Sequence, residues 1–216
     1  MVYTRQGANI VVIEQIRLGI DNFSYIIYCQ KTKKAAIVDP GYNPSQMLGF
    51  ISSNDLELIY IITTHYHLDH TGGIQIIKNT ISSSKIVASE LDGYKLEVKM
   101  DIIISDGDRL KLGEVDLEFL LTPGHTPGGI CIIVDNEALL TGDTLFIGDC
   151  GRTDLPGGNL AQMFRTLQEK IKPLPDHLIV YPGHDYGNDT FDVLGNQKLT
   201  NKTLLAKNLE EFSKIP

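Results

Sequence analysis

Apolar runs rich in β-branched residues recur along the chain, each bounded by turn residues and most of them the length of a strand. They predict strands over Ile10–Ile16, Ser24–Cys29, Lys34–Val38, Leu58–Thr63, Lys85–Ala88, Asp108–Leu112, Val115–Leu121, Gly129–Val134, Glu137–Thr141 and Leu178–Tyr181. Gly113-Glu114 and Asp135-Asn136 separate neighbouring runs and predict hairpins. Asp39-Pro40-Gly41 predicts a sharp turn after the third run. Four segments carry helical spacing instead: Pro44–Ser53, Thr71–Asn79, Asn159–Ile171 and Lys202–Phe212. In the third, Asn159 stands as a cap, and Leu160, Met163, Phe164, Leu167 and Ile171 make one apolar stripe. Strands interspersed with helices predict an α/β or α+β protein whose sheets are covered by helices.

The 216 residues are expected to form one domain over 1–216, with no linker, repeat or low-complexity tract. Acidic residues outnumber basic ones 27 to 19, a net charge of −8, which argues against a nucleic-acid partner. No apolar stretch approaches the ~20 residues that span a bilayer, so no membrane is expected. The beginning of the chain has no signal-like apolar run. Cys29, Cys131 and Cys150 are odd in number and far apart, which opposes a disulfide framework. The expected compartment is the reducing cytoplasm.

The histidines change the picture. Three of the six fall within Thr64-His65-Tyr66-His67-Leu68-Asp69-His70, directly after a predicted buried strand. His125, in Pro123-Gly124-His125-Thr126-Pro127, and His184, in Pro182-Gly183-His184-Asp185-Tyr186, also follow strands. So does Asp143, in Thr141-Gly142-Asp143. Imidazole and carboxylate are the ligands of Zn²⁺, Fe²⁺ and Mn²⁺. On extended backbone His65 and His67 face one side and can reach one ion. Asp69 and His70 come after the turn and suit a second ion nearby. The two oxygens of Asp143 can bridge both ions. Nothing in folding asks for three imidazoles and a carboxylate in one loop. His177, alone beside Pro175, reads as an ordinary surface residue.

These motifs resemble the metallo-β-lactamase superfamily, in its order, from about Ile10 to Tyr186. The resemblance implies a four-layer αβ/βα sandwich: two mixed sheets face to face, helices outside, metals at one edge. It implies His65, His67 and His125 on one ion and Asp69, His70 and His184 on the other, with Asp143 bridging. In the hydrolases of that family a bridging hydroxide is the nucleophile and Asp69 orients it. Two branches look closest. Thr64–Gly73, Thr141–Phe146 and Asp21-Asn22-Phe23-Ser24-Tyr25 are similar to glyoxalase II, a thioesterase cleaving S-acylglutathione or a similar small thioester. Cys150-Gly151-Arg152-Thr153-Asp154 and Gly183-His184-Asp185-Tyr186 look like persulfide dioxygenase, which keeps the same seven residues yet uses a single Fe²⁺ on the equivalents of His65, His125 and Asp143, so the ligand set does not decide between the branches. A small thioester or persulfide is therefore the expected substrate, and the family forms monomers and homodimers alike.

Other residues carry weaker expectations. Asp39 is expected to hydrogen-bond a ligand imidazole from behind. Cys150 is a redox-sensitive residue, a substrate contact or a small buried residue; Arg152 either pairs with Asp154 and braces their loop, the favoured reading, or steers an anionic substrate. Tyr25, Tyr66 and Tyr186 are pocket or packing residues. Lys198, Lys202 and Lys207 are expected on solvated helix faces, the alternative being contact with a substrate carboxylate.

Overall fold

The computed structural model describes residues 11–215 and the backbone of residues 2–3. One mixed sheet runs in chain order: β1 (Val2–Tyr3), β2 (Val11–Leu18), β3 (Asn22–Cys29), β4 (Lys34–Val38), β5 (Glu57–Ile62), β6 (Lys85–Ser89) and β7 (Ile102–Ile104). Pairing is antiparallel as far as β4 and parallel from β4 to β7. The second sheet holds β8 (Arg109–Leu112), β9 (Val115–Leu121), β10 (Ile130–Val134), β11 (Ala138–Gly142), β12 (Ile179–Pro182) and β13 (Asp192–Val193), again in order. It is antiparallel except for the parallel pair β11–β12.

Alternation within the strands builds the layers. In β10, Ile130, Ile132 and Val134 enter the core between the sheets, beside Tyr25, Ile27 and Phe119. Cys131 and Ile133 point the other way, into a core shared with Met163, Leu167 and Ile171. In the first sheet Ile26 and Ile37 face outward against Met47, Ile51, Ile74 and Ile77. Both faces of each sheet are therefore buried, which is why these strands read as continuous apolar runs. The expected four layers are present.

The helices are α1 (Ser45–Ser53), α2 (Leu68–Thr71), α3 (Ile74–Thr80), α4 (Glu90–Gly93), α5 (Leu160–Arg165), α6 (Leu194–Thr200), α7 (Lys202–Leu205) and α8 (Leu209–Phe212). Asn159 does cap α5, accepting from the Gln162 N–H at 2.9 Å. The second half of that predicted helix, Thr166–Ile171, is π-helical. The helix predicted over Thr71–Asn79 is two helices. The chain turns at Gly72-Gly73, where the Gly73 N–H donates to Pro40 O at 2.8 Å. A Cβ on Gly73 would stand 2.5 Å from Gly41 O, so only glycine fits there. The helix predicted over Lys202–Phe212 is also broken, because Asn208 caps α8 through the Glu211 N–H at 2.9 Å. The first predicted strand runs from Val11 to Leu18 among the described residues, and Ile10 lies outside them.

Two predicted hairpins form. Asp135 and Asn136 both take positive φ, 51° and 53°, which matches the right-handed twist of β10 and β11. No helix among the described residues is long and apolar enough to cross a membrane.

Candidate metal centre

Five strand ends converge at one edge of the sandwich. Asp39 follows β4, the His65–His70 loop follows β5, His125 follows β9, Asp143 follows β11 and His184 follows β12. All seven sequence-derived ligand candidates meet there. Their donor atoms fall into three overlapping groups, each within 4.8 Å: His65, His67 and His125; His65, His70 and Asp143; Asp69, His70 and His184.

Hydrogen bonds behind the imidazoles decide which nitrogen faces the centre. Asp39 Oδ1 accepts from the Thr64 N–H and Oδ2 from the Thr64 hydroxyl, both at 2.7 Å. The hydroxyl proton being used, Thr64 Oγ1 accepts from His65 Nδ1 at 3.1 Å. Asp39 Oδ2 also accepts from His70 Nδ1 at 3.0 Å, and Arg152 O accepts from His125 Nδ1 at 2.7 Å. These bonds leave the Nε2 lone pairs of His65, His70 and His125 aimed inward. His65 Nε2 and Asp143 Oδ1 are buried with no hydrogen-bond partner. His67 Nδ1 lies 3.0 Å from His125 Nε2, and His70 Nε2 lies 3.2 Å from His184 Nε2. Asp143 Oδ2 is 3.3 Å from His184 Nε2 and 3.5 Å from His125 Nε2, and Oδ1 is 3.4 Å from His70 Nε2.

Ligands about 2.0–2.1 Å from one tetrahedral ion stand roughly 3.3 Å apart. The observed separations of 3.0–3.5 Å match that figure. Buried lone pairs facing one another repel unless a cation lies between them. The donor set therefore fits divalent ions.

Without an ion the imidazoles divide into neutral and protonated groups. Burial, then the charge of His70, pushes His65 well below the usual imidazole range, and burial followed by His125 lowers His67. Both are thus held neutral, the ligating form. Burial raises Asp143, but His70 and His184 outweigh it and hold the carboxyl well below the usual range. Burial pulls His70 down, yet Asp143 and Asp39 bring it up to about 9. A histidine raised above its unfolded value of about 6.5 adds stability that is fully present below that pH and is lost as pH rises through about 9. In metal-stripped protein, wild type is expected to exceed His70→Gln in Tm near pH 6, with the gap closing above about pH 9. Thermal denaturation in chelator across that range checks it, and a pH-independent gap would contradict it.

A model of the metallo-β-lactamase superfamily matches residues 19–184. The chain belongs to the metallo-β-lactamase superfamily. It is 31% identical to the mitochondrial persulfide dioxygenase ETHE1 of Homo sapiens over 211 residues, covering 97% of this chain and 81% of the relative. It is 36% identical to the probable hydroxyacylglutathione hydrolase glo2 of Schizosaccharomyces pombe over 201 residues, 88% of this chain and 75% of the relative. The crystal structure of ETHE1 from Myxococcus xanthus superposes with a TM-score of 0.84 at 28% identity, covering 94% of this chain and 92% of that one. Relatives of the metallo-β-lactamase superfamily named for hydrolysis and for persulfide oxidation thus both align along most of the chain.

Within this superfamily fold the remaining candidates separate clearly. Asp39, 2% exposed, supports His70 directly and His65 through Thr64, as expected. Arg152 and Asp154 form a two-bonded ion pair at 2.7 and 2.8 Å, the expected brace, while Arg152 O serves His125. Cys150 lines the cavity, but burial and Asp149 push its thiol up to about 12, so it stays neutral. Tyr186 also lines the cavity and stacks on His184, with ring centroids 4.8 Å apart. Tyr66 Oη donates to Pro156 O at 2.7 Å. Buried Tyr25 donates to Pro182 O, behind the His184 loop. His177 Nε2 pairs with Asn136 O at 2.9 Å, away from the site. Lys198 is half-buried and binds Leu174 O and Asp176, whereas Lys202 is exposed on its helix and pairs with Asp149 at 2.8 Å.

Sequence reasoning missed Asp92. This carboxylate is 1% exposed and lies in α4. Its Oδ2 accepts from the Tyr66 N–H at 3.2 Å and the Thr126 hydroxyl at 2.7 Å, and its Oδ1 from the Gly128 N–H at 2.6 Å. Tyr66 sits between His65 and His67, and Thr126 adjoins His125. One side chain therefore ties together the loops that carry the three-histidine group. Asn22 also acts here, its Nδ2 donating to Asp69 Oδ2 at 2.9 Å.

Proposed function

We propose that this protein is a dinuclear metal-dependent hydrolase of glyoxalase II-like type, cleaving small thioesters. A dinuclear centre is supported by both ligand groups touching Asp143 with all seven donors present, and the thioesterase reading by the likeness of Thr64–Gly73 to glyoxalase II. His65, His67 and His125 would hold one ion, Asp69, His70 and His184 the other, and Asp143 would bridge them. Zn²⁺, Fe²⁺ and Mn²⁺ all suit such ligands. Two bound divalent ions supply Lewis acidity and a water ionised near neutral pH.

The chain's own groups do the rest. Asp69 Oδ2 lies 3.5 Å from His184 Nε2 and is steadied by Asn22, so it is placed to orient a water and take its proton. Asp39 and Arg152 O hold the imidazoles in the ligating tautomer. A cavity of about 880 Å³ opens from this edge and admits the substrate. A small-molecule substrate suits the net charge of −8 better than a polynucleotide does.

A second reading is an iron persulfide dioxygenase using His65, His125 and Asp143. It is favoured by the persulfide dioxygenase relatives, which align over 97% or more of this chain, and by the Cys150–Asp154 stretch on the cavity wall. The test uses protein purified without chelators. Thiol release from S-lactoylglutathione and from S-butyryl-N-acetylcysteamine is followed beside O₂ uptake with glutathione persulfide. Thioester cleavage without O₂ uptake is expected. O₂ uptake without thiol release would overturn the hydrolase and install the iron enzyme.

The clamp of Asp92 gives a further expectation. Asp92→Ala should weaken the ion of the three-histidine group about ten- to a hundredfold, a usual cost of losing such outer support. The ion on Asp69, His70 and His184 should be spared. Titration against a chelating dye resolves the two sites, and an equal shift of both would contradict this role.

A further inference from the structure

The cavity does not end at the ligands. From His67, Asp69 and His184 it continues outward to Leu155, Leu160, Phe212 and Ile215. These come from the loop before α5, the first turn of α5, α8 and the residues after it. Phe212 belongs to the outer core and Ile215 packs against it, so this wall is fixed rather than a loose flap. Leu160 is 38% exposed and faces the cavity.

The charged groups on the same wall are already paired. Arg152 is bound twice by Asp154, and Asp149, which also lines the cavity, is bound by Lys202. Among the described lining residues Arg152 is the only Lys or Arg. A glutathione moiety brings two carboxylates and an ammonium, which gain nothing from an apolar wall. An alkyl chain needs only the apolar wall.

Building on the thioesterase reading, we propose that the substrate is a thioester with an apolar acyl chain and an uncharged thiol arm, its chain lying along Leu155, Leu160, Phe212 and Ile215. The scissile carbonyl then sits at the ligand cluster. The chain extends from it into the part of the cavity that offers no free charge. A volume of about 880 Å³ is ample for a chain of medium length together with its thiol arm.

Two series test this on the intact protein. The first is kcat/KM for acetyl, butyryl, hexanoyl and octanoyl thioesters of N-acetylcysteamine, with S-lactoylglutathione alongside. An increase of about fourfold per added CH₂ group is expected until the wall is filled, with the octanoyl ester ahead of S-lactoylglutathione. The second is calorimetric binding of the matching S-alkyl thioethers, which cannot be hydrolysed. It should show the same rise. Leu160→Arg should flatten both series and leave metal content unchanged. If no thioester is cleaved but the thioethers still gain affinity with length, the hydrolase reading falls and the apolar arm stands. If thioesters are cleaved with no dependence on chain length, or S-lactoylglutathione is preferred, the apolar arm falls and the hydrolase stands.

Discussion

Asp143→Asn is expected to lower activity at least a thousandfold and to reduce bound metal from two ions per chain to one or none. The reason lies in the position of the side chain. Asp143 is the one carboxylate whose oxygens approach His70, His125 and His184 together, at 3.3–3.5 Å. Its Oδ1 is buried with no hydrogen-bond partner. An amide fills the same space but carries no charge. It also presents an NH₂ group to lone pairs that need a cation. The side chain is closely packed, since a Cβ on Gly183 would stand 2.4 Å from Asp143 Oδ1. The thermal stability of metal-stripped protein should change far less than activity does. Metal analysis and thioester turnover on the same sample check this. Two ions retained with activity within tenfold of wild type would refute the bridging role.

Asp39→Ala is expected to be the most destabilising single change at the site, by about 2–5 kcal/mol. It orphans two buried donors, the Thr64 N–H and His70 Nδ1–H, at roughly 1–3 kcal/mol each. The Thr64 hydroxyl keeps a partner only if the His65 proton moves to Nε2, because Nδ1, 3.1 Å away, otherwise donates to it. Asp39 also takes a positive φ of 52°, which alanine tolerates less well than aspartate. Asp39→Asn keeps the shape and an acceptor for one donor, so it should cost less. Denaturant unfolding of the metal-stripped proteins measures both. Equal stability of Asp39→Ala and wild type would show that the network behind the imidazoles is dispensable.

Much of this site was legible because its chemistry is local. His65, His67, Asp69 and His70 lie within six residues, and His125, Asp143 and His184 each follow an apolar run at a turn. Spacing alone could place two imidazoles on one side of an extended backbone. The division into two sheets was not legible from periodicity, because runs buried on both faces show no alternation; it came from the family resemblance, and the strand order from the structure. Asp92 was invisible for another reason. Its neighbours Glu90, Leu91 and Gly93 give no motif, and its partners Tyr66, Thr126 and Gly128 are 26 to 36 residues away. The broken helices failed differently. The apolar spacing of Leu204, Leu205, Leu209 and Phe212 continues across Ala206–Asn208, yet the cap at Asn208 overrules it. Helix α6 escaped notice because Gly195, Asn196 and Thr200 are poor helix formers.

The most direct test of the whole account is an anomalous-scattering crystal structure of protein loaded with a divalent metal. Two ions per chain are expected, about 3.5–4 Å apart, with one on His65, His67 and His125, the other on Asp69, His70 and His184, and Asp143 between them. A single ion held by His65, His125 and Asp143 at saturating metal would contradict it.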